Sequence, residues 1–289
     1  MLKRVILALF IAAALPGLPP ALAKPVETLA RSGKWIVDYD QDACHLLAQF
    51  GTGKGEVVMR MTRYDLGPSF KLSLYGARFD AYSVRGLAKL DFGLGGKPIE
   101  TGGMSGSVGE TKAIFLSNVR LDGWKPGAPG ETGPTITAAQ EAAVSGMTVQ
   151  IAGKKPFRLE FGSLGSPFAQ LRSCQADLVK SWGYDPAEQA ALSRRIKQIN
   201  GFRDWLKSSD YPDEATSKGY NGLVQIRLDV DPAGQVAGCR VLNRTNPDVF
   251  ADLTCRAVTK RAKFQPALDA QGRPVRAFEV YSIVWVMED

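Results

Sequence analysis

The sequence contains very little histidine: His45 is the only one in 289 residues. Its four cysteines form no C-x-x-C pair, so the ligand set of a typical zinc site is missing. No zinc-finger, helix-turn-helix or RNP-like pattern accompanies the net charge of +7. We therefore predict no metal site, no cofactor and no nucleic-acid partner.

Long apolar runs are also missing, apart from a short one at residues 5–15 that follows two basic residues. A Pro/Gly break and an A-x-A cleavage pattern ending at Ala23 come next. Since a membrane span needs about 20 apolar residues, residues 1–23 are predicted to be a cleavable signal peptide, with an uncleaved anchor as the alternative. The mature protein is expected in the periplasm, without a stable membrane span.

Cysteines in an exported chain indicate disulfides, and four cysteines allow three pairings. Cys44 and Cys174 lie near the two ends of one segment, whereas Cys239 and Cys255 lie close together in another. We predict the bridges Cys44–Cys174 and Cys239–Cys255, each inside its own domain.

Residues 24–183 are predicted to form a β-rich domain of no recognised family, with a few helices. One helix would be capped by Thr137, and another would cover residues 167–182. Two glycine-rich runs, at residues 93–96 and 102–106, are interpreted as turns. Short apolar or alternating runs predict strands at residues 35–37, 57–61, 70–74, 113–119, 147–151 and 157–161.

Residues 184–208 are predicted to form one linker helix. Asp185 is expected to cap this helix, with Pro186 at its first position and Glu188 completing a capping box. Apolar residues recur at steps of three and four, which predicts one buried stripe. The stripe consists of Leu192, Ile196, Ile199, Phe202 and Leu206.

Residues 209–289 have the pattern of a compact β-β-α-β unit, which makes the whole chain α+β. Residues 223–230 alternate between apolar and polar, and residues 235–242 are predicted to return antiparallel after a turn. Residues 246–248 are expected to cap a helix, and residues 272–286 supply the final strand.

Short sequence signposts follow one another through this unit: Tyr211-Pro212, Gly222-Leu223-Val224, Gly234-Gln235-Val236, Phe264-Gln265-Pro266-Ala267, Gly272-Arg273-Pro274-Val275 and Ile283-Val284-Trp285. In this order they resemble the TonB C-terminal domain, over roughly a quarter of the chain. The resemblance implies a domain that grips a short extended segment, the TonB box, at the periplasmic end of an outer-membrane transporter.

The last strand of such a unit is expected at a sheet edge, whose unpaired N–H and C=O groups can bind an extended peptide as an added strand. The resemblance places this pairing strand at residues 276–284. The alternative is that the other domain merely covers the edge. The predicted binding residues are Arg276, Phe278, Val280, Tyr281, Ser282, Ile283 and Val284.

The sequence therefore predicts a periplasmic protein-binding module and no catalytic residues. Its expected partner is the periplasmic segment of an outer-membrane transporter or of another envelope protein. Energy transduction is not expected, because the family's membrane anchor and Pro-rich spacer are not found. The alternative is an enzyme or small-ligand receptor in residues 24–183, for which the TonB-like unit would be a docking module. A nucleophilic mechanism would have to use His45, which we interpret instead as a ring beside a disulfide.

Overall fold

The computed structural model describes residues 25–79, 87–95, 97–127, 131, 133–245 and 248–287. Two large hydrophobic cores lie in the N-terminal and C-terminal parts of the chain, and the mixed α+β class is confirmed. The predicted signal peptide lies outside the described residues. None of the described helices combines the length and the apolar character that crossing a bilayer requires.

Ten strands build most of the N-terminal region: β1 (Glu27–Ala30), β2 (Ile36–Tyr39), β3 (Cys44–Phe50), β4 (Val57–Arg63), β5 (Phe70–Tyr75), β6 (Leu87–Asp91), β7 (Ile99–Val108), β8 (Thr111–Val119), β9 (Gly146–Ile151) and β10 (Phe157–Glu160). They form one sheet in the order β1-β10-β9-β6-β7-β8-β5-β4-β3-β2, in which only β1 and β10 are parallel. Just after β1, Arg31 bridges to Phe50 at the end of β3, so the sheet closes on itself.

Alternation of side chains explains why these segments are strands. In β4, Val57, Met59 and Met61 are fully buried, whereas Val58 and Arg60 between them are partly exposed. Successive side chains of a strand point to opposite faces, so this period-two pattern turns one apolar face towards the core. The strands predicted from the sequence are all found, among them the strand expected around Cys44, and β1, β6 and β7 are additional.

The glycine-rich run at residues 102–106 was predicted as a turn, and this was wrong because it lies inside β7. A Cβ atom on Gly103 would lie only 2.5 Å from Cδ2 of Leu116 on the neighbouring strand β8. Glycine in this strand thus permits a close approach. The turn interpretation holds at Gly93 and Gly95, whose φ angles are 75° and 80°.

The described part of the N-terminal region also contains two α-helices, α1 (Ala138–Ala143) and α2 (Gly165–Ser181). The Thr137 hydroxyl accepts a hydrogen bond from the backbone N–H of Gln140 and caps α1 as predicted. The disulfide Cys44–Cys174, with an S–S distance of 2.07 Å, joins β3 to α2 and confirms the first predicted bridge.

The connecting segment, residues 184–206, does not form the continuous helix predicted for residues 184–208. It contains α3 (Pro186–Ala190), the two-residue strand β11 (Lys197–Gln198) and α4 (Phe202–Trp205). Asp185 does cap α3, since its carboxylate accepts from the backbone N–H groups of Ala187 and Glu188. The helix ends within two turns.

Between α3 and α4, the backbone of the connecting segment bonds to the C-terminal unit. Ser193 N–H donates to the Leu268 carbonyl at 2.9 Å, and Ile199 N–H donates to the Lys263 carbonyl at 2.9 Å. The predicted buried stripe is therefore broken, because Ile199 is 61% exposed and Phe202 is 44% exposed.

The C-terminal unit contains α5 (Asp213–Lys218), β12 (Gly222–Val230), β13 (Val236–Arg244), α6 (Val249–Arg261), β14 (Phe264–Gln265), β15 (Ala267–Leu268), β16 (Pro274–Val275) and β17 (Ala277–Trp285). Its main sheet has the order β13-β12-β17 and is antiparallel. The β-β-α-β pattern is confirmed, although Asn246 and Pro247 of the predicted helix cap lie outside the described residues. The disulfide Cys239–Cys255 joins β13 to α6, with an S–S distance of 2.00 Å.

The two faces of this sheet have different neighbours. On one face, α6 contributes Phe250 and Val258 to a buried core. On the other face, Phe278 packs with Val179 and Tyr184 in a small cluster shared with the N-terminal region. The C-terminal unit is thus docked against the N-terminal region through the sheet face opposite α6.

Candidate functional site

Strand β17 lies at an edge of the C-terminal sheet. It pairs with β12 in an unbroken register from Gly222–Trp285 to Val230–Ala277. Among the described residues no strand pairs with its other side. The position of the predicted pairing strand at a sheet edge is therefore as expected from the sequence.

Leu223 shows which way the backbone groups of the sheet point. Its N–H donates to Oγ1 of Thr245 and its carbonyl accepts from the Thr245 N–H, both at 2.9 Å and both on the β13 side. Leu223 faces Val284 across β12 and β17. In an antiparallel pair the bonded and non-bonded positions alternate, so Val284 directs its N–H and C=O to the free side. The next pair, Val224–Ile283, is a bonded one, and the Ile283 N–H lies inside the sheet.

The same alternation applies along the whole strand, so the even-numbered residues carry the outward backbone groups. Four of these, Phe278, Val280, Ser282 and Val284, belong to the predicted binding set. The odd-numbered members, Tyr281 and Ile283, use their backbone groups within the sheet. The sequence predicted the strand but could not separate these two sets.

Exposure changes sharply along β17. Phe278 is only 5% exposed, whereas Val284 is 53% exposed and Val286, just after the strand, is 51% exposed. Ser282 between them is also exposed. Among the residues of β17 that direct their backbone outward, Ser282 and Val284 therefore have exposed side chains, whereas the side chain of Phe278 is buried.

Three other predicted binding residues contact aromatic side chains elsewhere in the same chain. The Arg276 guanidinium lies 4.2 Å from the ring centroid of Tyr184, and the Phe278 ring lies 5.2 Å from that of Trp182 in an edge-on arrangement. The Tyr281 ring lies 5.3 Å from the ring of Trp205. Burial raises the pKa of the Tyr281 hydroxyl, which stays protonated.

Residues of the connecting segment that contact β17 were missed by sequence reasoning. Arg195 forms an ion pair with Glu279 at 3.3 Å, and the amide of Gln189 donates to the Arg276 carbonyl at 3.3 Å. Burial raises the pKa of Glu279, and Arg195 opposes this shift. The available signal was the Asn200-Gly201 pair, which favours a break in a helix at that point.

A polar cluster surrounds His45, the residue that an enzyme mechanism would have to use. His45 is 2% exposed, with Nδ1 2.9 Å from Oγ1 of Thr62 and Nε2 2.6 Å from the Arg60 guanidinium. Asp40 lies farther from Nε2, at 3.4 Å. Because arginine can only donate, Nε2 accepts from Arg60 and the ring proton sits on Nδ1, directed at Thr62.

This protonation state does not suit nucleophilic catalysis. A general base must accept the proton of its nucleophile, but Nδ1 of His45 donates to Thr62, and Thr62 is only 6% exposed. Burial first, and then the charge of Arg60, lower the pKa of His45 and keep it neutral. The cluster is best explained as a packed polar contact between β3 and β4.

The cleft around Trp124 does not have the features of a receptor pocket either. It is an open cleft of ≈ 750 Å³ lined by Lys89, Glu100, Trp124 and Lys125 among others. Lys89 pairs with Glu100 at 2.7 Å, and Lys125 donates to the Glu100 backbone carbonyl. These charged groups bond to each other. The cleft is also lined by the apolar residues Pro98, Ile99 and Pro134 but is open, whereas ligand pockets usually enclose most of the ligand.

Among the residues that the structure describes, no group of three His, Cys, Asp or Glu side chains is arranged so that it could hold a metal ion. All four cysteines are joined in the two disulfides.

Comparison with known families bears on the C-terminal unit. Residues 207–287 match the family described as Gram-negative bacterial TonB protein C-terminal. A search of curated proteins found no match to the chain. Domains of this family are non-catalytic protein-interaction modules of the Gram-negative cell envelope. Together with the β-β-α-β fold, the match identifies residues 207–287 as a TonB C-terminal domain, preceded in this chain by a β-rich region that lies outside the family.

Proposed function

We propose that this protein is a periplasmic binding module that captures an extended peptide by adding it as a strand to the free edge of β17. The peptide belongs to the periplasmic segment of an outer-membrane transporter or of another envelope protein. The observation that carries the proposal is the outward backbone of Val284, whose side chain is 53% exposed at an edge that no described strand covers.

The physical basis is the unfinished hydrogen bonding of this edge. Each outward residue offers one N–H and one C=O, and a bound strand would satisfy them. A net contribution of about 1 kcal/mol per backbone hydrogen bond is typical. A few such bonds, with apolar contacts from Val284 and Val286, are expected to give reversible binding.

The test is a titration of the isotope-labelled full chain with peptides from the periplasmic segments of outer-membrane transporters. We expect amide shifts concentrated at Ser282 and Val284, where the outward groups are exposed. Peptides of the same composition in scrambled order serve as the control for sequence preference. Absence of any shift on β17 with all peptides would contradict strand addition.

A further inference from the structure

We infer that the connecting segment closes the N-terminal half of the β17 edge, so that the partner is a short extended segment of about five residues bound along residues 282–286. This inference rests on the proposed function. It specifies the length of the partner segment and the surface that the segment contacts. The residues of the connecting segment precede the family match at 207–287, so this surface lies outside the matched domain.

The first contact is made to the backbone just before the strand. The Gln189 side-chain amide donates to the carbonyl of Arg276, the residue that precedes β17, at 3.3 Å. A peptide paired past the start of β17 would compete for this acceptor. At the start of the edge, the acceptor is already used by the chain itself.

Side chains fill the space beside the same part of the strand. Arg195 approaches Glu279 at 3.3 Å, and Leu192 and Ile196 lie beside Phe278. The cavity that remains between them is only ≈ 10 Å³. Such a volume holds a single water at most, and it excludes the side chain of a bound peptide.

Aromatic contacts mark the end of the closed part. The Tyr281 ring lies 5.8 Å from the Phe202 ring and 5.3 Å from the Trp205 ring. Trp205 is fully buried, and its indole N–H donates to Oδ1 of Asn200 at 2.9 Å. The contact to β17 is thus anchored in the C-terminal core.

The connecting segment is also fixed along its length by backbone bonds. Leu268 N–H donates to the Arg194 carbonyl at 2.9 Å, and Ile199 N–H donates to the Lys263 carbonyl at 2.9 Å. Opening the closed part of the edge would break these bonds together with the Arg195–Glu279 pair. A partner therefore binds the open half without displacing the segment.

The open half specifies the chemistry of the partner. Residues 282–286 span about 17 Å of extended chain, at about 3.4 Å per residue. Phe202, at the boundary beside Tyr281, is 44% exposed and offers an apolar ring next to the first free position. We therefore assign an apolar side chain to the partner residue that lies nearest Tyr281.

Peptides of increasing length test the predicted length of the bound segment. The probes are peptides of four to nine residues from one periplasmic segment of an outer-membrane transporter, and each is titrated against the isotope-labelled full chain. The expected affinity rises up to about five residues and then stays constant, with shifts at residues 282–286 and none at 276–280. Continued gain in longer peptides, with shifts spreading to 276–280, would overturn the inference and leave strand addition intact. No shift anywhere on β17 would overturn both.

Substitution of Phe202 tests whether the partner residue nearest Tyr281 is apolar. Phe202→Ala is expected to weaken the five-residue peptide about tenfold while amide spectra keep the wild-type fold. Arg203→Ala, an exposed neighbour on the same short helix α4, is the matched control and leaves affinity unchanged. Equal affinity in Phe202→Ala and Arg203→Ala would remove Phe202 from the binding surface.

Discussion

The guanidinium of Arg227, on the central strand of the C-terminal sheet, lies 4.5 Å from the ring centroid of Trp182, just after α2. The Phe278 ring meets the same indole edge-on at 5.2 Å. Tyr184 donates its hydroxyl proton to Asp229 on that strand at 2.7 Å. The indole therefore joins the TonB C-terminal domain to the N-terminal region, and the two are expected to unfold together.

Replacing Trp182 with alanine should uncouple the two regions. Loss of a fully buried aromatic ring typically costs about 3 kcal/mol or more. Trp182 is partly buried, so we expect a smaller loss, which falls on the interface between two cores. We expect calorimetry to resolve two unfolding transitions in Trp182→Ala and one in Trp182→Phe, which keeps a ring against Phe278. A single transition of unchanged shape in Trp182→Ala would show that the indole does not couple the regions.

Proline substitutions at two neighbouring positions of β17 should distinguish an effect on peptide affinity from an effect on folding stability. The Val284 N–H points to the free side, so Val284→Pro removes an outward donor and is tolerated at an edge strand. The Ile283 N–H lies within the sheet, so Ile283→Pro breaks an internal bond and should cost about 3 kcal/mol of stability. We expect Val284→Pro to keep its fold and to lose peptide affinity at least tenfold, by titration calorimetry.

Val284→Ala is the control for this pair, because it shortens the side chain and keeps the N–H. Its peptide affinity is expected to fall much less than that of Val284→Pro. Equal losses in the two variants would assign the effect to the side chain and would contradict binding through backbone hydrogen bonds.

The two disulfides should differ in their contribution to stability. Cys44–Cys174 closes a loop with a sequence separation of 130, and Cys239–Cys255 closes one of 16. Loop-closure entropy predicts about 5 kcal/mol for the long loop and about 3 kcal/mol for the short one. Double alanine variants of each pair, unfolded in urea, should lose stability in that order. The reverse order would mean that packing around each bridge outweighs chain entropy.

Acid should weaken the contact between Asp210 and α6. Hydrogen bonds from Arg261 lower the pKa of Asp210 from 3.8 to about 2. A carboxyl group with a lowered folded pKa stabilises the protein above its unfolded pKa, and this contribution disappears as the pH falls through the folded pKa. We expect Asp210→Asn to be less stable than the wild type at pH 6, with the difference vanishing near pH 2. A difference that stays constant from pH 6 to pH 2 would exclude the ion pair as its source.

The fold of the C-terminal domain was largely predictable because its signals are local. Alternation over residues 223–230, a turn and an apolar helical stripe each act within a few residues. The disulfide pairings were predicted correctly for a related reason, since each bridge stays within one region. The prediction for the connecting segment was wrong, because its apolar residues recur at helical spacing and yet do not lie on one continuous helix.

The sequence by itself determined the TonB C-terminal domain, the two disulfides, the α+β class and the position of the last strand at a sheet edge. Only the tertiary structure decided which backbone groups of that strand point outward and which of its side chains are buried by the rest of the chain. Helical spacing at Ile199 and Phe202 satisfies a local pattern, but the backbone of the segment finds partners at Lys263 and Leu268, far along the chain. Those long-range bonds replace helical ones and bring Gln189 and Arg195 against β17. Residue spacing cannot predict such long-range bonds, because they depend on which surfaces meet when the chain folds.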